Sequence, residues 1–145
     1  ALGRDTTISL AVSLNATDNA TRSQLMPVNR RYPIETLLEA CRRYPLQPHR
    51  RITFEYILLE GINDRPGDAR RLATLLRPIR AKINLIPFNE YESCRFRRPR
   101  EEVILQFQQN LVDQGYTVII RNSKGHDISA ACGQLKARAE GLPTL

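Results

Sequence analysis

The stretch RITFEYILL, Arg51 to Leu59, holds the reading that decides the fold. Its β-branched and aromatic residues predict a strand, and the turn residues of EGINDRPGD, Glu60 to Asp68, end it. The stretch from Pro66 to Arg77 then carries Leu72, Leu75 and Leu76 as a helical stripe, and KINLIPF, Lys82 to Phe88, is a further strand. Pro99 is placed to open a helix through Asp113, with Glu101 and Glu102 in its first turn and Gly115 to close it. TVIIR, Thr117 to Arg121, is the strand after it.

Towards the amino terminus the same alternation recurs. TISLAVSL, Thr7 to Leu14, is short and apolar and reads as a strand buried on both faces. Asp18 or Asn19 caps a short helix that stops before Pro27. Ile34, Leu37, Leu38 and Cys41 fall at helical spacing, which assigns Cys41 to the core. Residues after about Arg138, 139 to 145, read as a frayed tail.

Strand and helix in strict succession predict an α/β fold, a parallel sheet with right-handed crossovers and helices on its outer face. In such sheets a ligand lies beyond the carboxyl ends of the strands. That rule selects Ser13 to Asn15, Glu60 to Asp64, Asn89 and the stretch after Arg121. Strand parity puts Glu55 with Ile57 and Leu59, where a paired carboxylate fits; no role follows from that alone.

The 145 residues fit one domain. No apolar run has the length of a membrane helix, and ALGRDTTISLAVSLNA lacks the order of a signal peptide, so a cytoplasmic location is expected. Cys41, Cys94 and Cys132 are an odd number without metal-ligand spacing. The formal charge of +7 arises from 22 basic and 15 acidic residues. Arginine dominates the basic set, which suits phosphate, although an arginine-rich genome gives the same count. RFRRPR, Arg95 to Arg100, concentrates cations around Phe96; it is either an RNA contact or a solvated loop. In HDISAACGQL, Cys132 between Ala131 and Gly133 is either a small core residue or an uncrowded thiol.

Five segments together, SLNA (13 to 16), LMPVNRRYPIETLLEAC (25 to 41), RITFEYILLEGIND (51 to 64), KINLIPFN (82 to 89) and RNSKGHDISAACGQL (121 to 135), resemble one family. It comprises the radical S-adenosylmethionine (SAM) RNA methyltransferases that modify carbon 2 of adenosine, the RlmN/Cfr family, and the likeness is to their carboxyl-terminal half. The resemblance implies the carboxyl-terminal part of a partial TIM-like radical SAM barrel, a transferase acting on 23S rRNA and tRNA. It also implies a [4Fe-4S] cluster held by a Cys-x-x-x-Cys-x-x-Cys loop absent from this sequence, and an electron donor to feed it. The 145 residues are therefore expected to be a fragment, inactive alone, that self-associates through an exposed strand edge.

By the same resemblance Cys132 is the catalytic thiol that accepts a methyl group from SAM. Ser13, Leu14 and Asn15 are the cofactor-contacting strand end, where the family usually has histidine at the position of Asn15. Asn89 is a second cofactor contact, and Arg95, Phe96, Arg97, Arg98 and Arg100 are RNA-binding candidates. Arg121, Lys124 and a helix capped by Asp127 or Ser129 are the groups placed to lower the pKa of the thiol. Two other readings stay open: methylation at carbon 8, and a non-catalytic RNA-binding module.

Overall fold

The computed structural model describes residues 10–89 and 96–122. Its elements in chain order are β1 (Ala11–Ser13), α1 (Asn19–Leu25), a 3-10 turn (Pro27–Arg30), α2 (Ile34–Arg43), β2 (Ile52–Leu58), α3 (Pro66–Leu76), β3 (Ala81–Pro87), α4 (Glu101–Asp113) and β4 (Val118–Ile120). The four strands form one sheet in the order β1-β2-β3-β4, and every neighbouring pair is parallel. The strands and helices expected between Ala11 and Arg121 are present, and the short helix expected ahead of Cys132 lies outside the described residues.

Alternation along β2 explains the layering. Ile52, Phe54, Tyr56 and Leu58 are fully buried and meet the apolar stripes of α2, α3 and α4 in a single core. Tyr56 stacks on Phe107 of α4 with ring centroids 5.4 Å apart. Cys41 lies in this core, as its spacing predicts. Leu72 of α3 has no exposed surface. Leu72→Ala is expected to cost about 3 kcal/mol through lost burial and a residual cavity, read as a lower urea midpoint at unchanged slope.

Local chemistry sets the helix ends. Asp18 accepts the Thr21 N–H at 2.7 Å and starts α1, while Pro66 opens α3. Asp68 at the third position of α3 accepts the Arg65 N–H at 3.1 Å, which satisfies one amide at the helix start. Helix α4 begins at Glu101 rather than Pro99, with Arg100 as its cap residue. Gly115 ends it with φ +97°, a left-handed conformation suited to glycine.

One expectation fails in β1. Ala11 and Ser13 are exposed, so this strand is not buried on both faces. The register places Ala11 beside Thr53 and Ser13 beside Glu55, on the face turned away from α2, α3 and α4. That second face also carries Lys82, Asn84 and Ile119, and Ile119 is 53% exposed. A parallel strand reads as continuously apolar only when both faces of its sheet are covered. Here one face is packed and the other is mostly polar.

A smaller cluster, Leu25, Leu59, Phe88 and Phe96 with Met26, Ile57 and Ile62 against it, lies by the carboxyl ends of β2 and β3. Among the described residues no helix is long and apolar enough to cross a membrane.

Candidate functional site

The carboxyl end of β1 is held by an arginine that the sequence does not single out. Arg22 of α1 is 3% exposed. Its Nε donates to the Leu14 carbonyl at 2.9 Å, one terminal nitrogen donates to the Ser13 carbonyl at 3.0 Å, and the other donates to Asn29 Oδ1 at 3.0 Å. Asn29 in turn donates to Ser23 and to Asn19. Burial pushes the Arg22 pKa down, but three acceptors surround the guanidinium and no carboxylate is needed to hold it there.

Asn15 and Asn63 join β1 to β2. Asn15 has φ +62°, a left-handed conformation that asparagine tolerates better than most side chains. Its Oδ1 accepts the Ile57 N–H at 2.9 Å and its Nδ2 donates to Met26 Sδ at 3.5 Å. Asn63 donates to the Asn15 and Ile57 carbonyls at 2.8 and 2.7 Å and accepts the Leu59 N–H at 2.8 Å. The Tyr56 hydroxyl donates to the Asn63 carbonyl at 2.8 Å. The loop after β2 is therefore fixed to the end of β1. Asp64 accepts the Gly61 N–H at 3.0 Å, and its burial raises its pKa.

These bonds sort the expected cofactor contacts. Leu14 is fully buried; its N–H donates to the Glu55 carbonyl and its own carbonyl accepts from Arg22. The Asn15 amide is occupied on both sides. Ser13 keeps an exposed hydroxyl with no hydrogen-bond partner among the described residues, so it is the group in this segment that is free to meet a ligand. Asn89 is partly buried beyond the carboxyl end of β3, the strand end next to that of β2.

The arginine-rich loop divides as well. Phe96 is 8% exposed and packs edge-on against Phe88, with centroids 6.1 Å apart. Base stacking on its face would require it to leave that cluster, so its placement is that of a core residue. Its neighbours point the cations outward: Arg97 and Arg100 are exposed and Arg98 forms a 3.5 Å ion pair with Glu101. The Arg97 carbonyl accepts the Glu60 N–H at 2.9 Å, which brings this loop to the carboxyl end of β2. Arg95, Cys94, Lys124, His126, Cys132 and the tail 139–145 lie outside the described residues.

On the second face Glu55 pairs with Arg121, its Oε2 lying 3.0 Å from the guanidinium across β3. Sequence parity placed the carboxylate on that face, but nothing local names a partner 66 positions away. Among the described residues no three His, Cys, Asp or Glu side chains come together in a way that could hold a metal. An iron–sulfur cluster does not fit on them.

A parallel sheet with one packed face and a polar opposite face is the form of an open barrel segment, and solved structures share it. The chain matches a radical SAM methyltransferase from Sphaerobacter thermophilus with a TM-score of 0.79 and 48% identity, over 92% of this chain and 39% of that one. A domain of a pyruvate-formate lyase-activating enzyme from Bacteroides vulgatus, 21% identical with a TM-score of 0.62, shares the fold. In class, then, the chain is similar to a segment of a radical SAM methyltransferase.

The sequence comparison is narrower. The chain is 64% identical over 136 residues to the dual-specificity RNA methyltransferase RlmN of Desulfosudis oleivorans, covering 94% of this chain and 37% of the relative. It is 56% identical over 141 residues to the protein of the same name from Geobacter sulfurreducens, covering 97% of this chain and 39% of the relative. The chain thus spans about two-fifths of the length of the curated relatives it matches. No protein-family model matches it.

Proposed function

We propose that this chain is the carboxyl-terminal part of a radical SAM RNA methyltransferase that modifies carbon 2 of adenosine in 23S rRNA and in tRNA. The observation that carries the reading is the 64% identity along nearly the whole chain to a dual-specificity RNA methyltransferase. The parallel sheet and its polar second face support it, because they offer an adenosyl cofactor a half-barrel wall with hydroxyl, amide and carboxylate groups.

When bound, SAM supplies the methyl group. Within this chain Cys132 is the thiol that carries it, and the Ser13 hydroxyl and Asn89 hold the cofactor at neighbouring strand ends. Leu14 and Asn15 act behind Ser13, by fixing the strand end, since their own polar groups are engaged. Arg97, Arg98 and Arg100 line the loop at the carboxyl end of β2 and take the phosphates of folded RNA. Arg95 belongs to the same loop. The [4Fe-4S] cluster and its electron donor act on another part of the longer protein, in the cytoplasm. The 145 residues alone are inactive, and they self-associate because β1 is paired on one side only among the described strands.

The test is the product. Full-length protein given SAM, a reductant and rRNA or tRNA is expected to yield 2-methyladenosine in mass spectrometry of digested RNA. Methylation at carbon 8 would overturn the assigned ring position. No methylated nucleoside, from protein carrying its cluster, would overturn the enzyme reading in favour of an RNA-binding module.

A further inference from the structure

Three side chains on the second face of the sheet keep polar atoms that the described residues do not use. Ser13, Glu55 and Asn84 are register partners across β1, β2 and β3, so their side chains form one transverse row. Adjacent strands lie about 4.8 Å apart, so the row is about 10 Å wide. Neither the Ser13 hydroxyl nor the Asn84 amide has a hydrogen-bond partner among the described residues. Glu55 uses Oε2 for Arg121, while Oε1 has no partner among them. The contrast with Arg22, Asn15, Asn29 and Asn63 is sharp, for those side chains are consumed within the protein.

Glu55 is 24% exposed in its side chain and Arg121 is 43% exposed. The guanidinium lies against Oε2 and fixes the carboxylate from one side, so Oε1 is an oriented acceptor. Resting on the methyltransferase reading, in which Ser13 meets the cofactor, we infer that Glu55 is a cofactor-positioning residue: its Oε1 accepts a hydrogen bond from a ribose hydroxyl of the adenosyl group. Ribose presents two vicinal hydroxyls. An acceptor one strand away from the Ser13 hydroxyl is placed to take one of them while Ser13 takes the other. Asn84 closes the row on the far side of Glu55. Arg121 orients the carboxylate and makes no cofactor contact.

The probes are S-adenosylhomocysteine and its 2′,3′-dideoxyribosyl analogue, measured by calorimetry on the full-length protein. Glu55→Gln keeps the shape but exchanges a charged acceptor for a neutral one. It is expected to weaken S-adenosylhomocysteine about tenfold and to leave the analogue within about twofold, since the analogue has no hydroxyl to lose. Glu55→Ala is the second variant and is expected to show the same selectivity with a larger loss. Unchanged affinity for S-adenosylhomocysteine, or an equal loss for both ligands, would overturn the inference and leave Glu55 a partner of Arg121 alone. Wild-type protein that binds neither ligand would instead overturn the methyltransferase reading on which the inference rests.

Discussion

Cys132→Ala in the full-length protein is expected to lower RNA methylation by a factor of about a thousand or more, at least about 4 kcal/mol in the barrier. Alanine removes the only atom at that position able to form a bond to the transferred methyl group. Serine is expected to do no better. A hydroxyl is almost entirely protonated at neutral pH, whereas a free thiol with pKa near 8.5 is already a few per cent thiolate. Two measurements accompany the rate. The wild-type peptide containing residue 132 gains the mass of one methylene on incubation with SAM, and the variant peptide does not. S-adenosylhomocysteine is expected to bind the variant as tightly as the wild type, because the substitution removes one sulfur and none of the proposed cofactor contacts. Methylated RNA from the alanine variant at a tenth of the normal rate or faster would remove Cys132 from the mechanism.

The second large effect is structural. Arg22→Met leaves the Leu14 and Ser13 carbonyls and Asn29 Oδ1 without their donor at a site that water barely reaches. Three bonds to a charged group vanish at once, and a cost of about 3–5 kcal/mol is expected. For a chain of this size that lowers the melting temperature by roughly 10–16 °C. Arg22→Lys should recover less than half of the loss, because one ammonium cannot reach three acceptors that a planar fork meets together. Full recovery by lysine, or a shift below about 1 kcal/mol for methionine, would show that the network is dispensable. The affected backbone includes Ser13, so the methionine variant is also expected to bind S-adenosylhomocysteine more weakly.

The succession of elements was legible because each strand and helix shows its own period. β2 declares itself by aromatic and β-branched residues, α2 by Ile34, Leu38 and Cys41, and α3 by its leucines. The failure at β1 has a plain cause: SLAVSL is uniformly apolar or small, and parity cannot tell which face of such a strand meets solvent. Much of the site's support was not legible. Arg22 sits in a helix with other polar residues, where an arginine is ordinarily exposed. Asn63 lies in a turn and reads as turn chemistry, yet its side chain bridges two strands. Phe96 reads as an exposed aromatic among arginines because its partner Phe88 comes eight residues earlier, just past the end of β3. Glu55 and Asn84 could be assigned to a face but not given a purpose. Cys132 rests on resemblance alone.

The unequal strand lengths have a consequence for timing. Among the described residues β2 and β3 share seven paired positions, whereas β1 and β4 are each held at three. Opening free energies rise with the contacts that must be broken, so in these 145 residues the amides of β1 and β4 are expected to exchange faster than those of β2 and β3. Glu55 and Asn84 thus sit on the most extensively paired strands, and Ser13 sits on a strand end that Arg22 holds. A ligand gripping Ser13 and Glu55 together would knit a quick edge to a slow centre, and the β1 amides would then become the most sensitive reporters of its arrival.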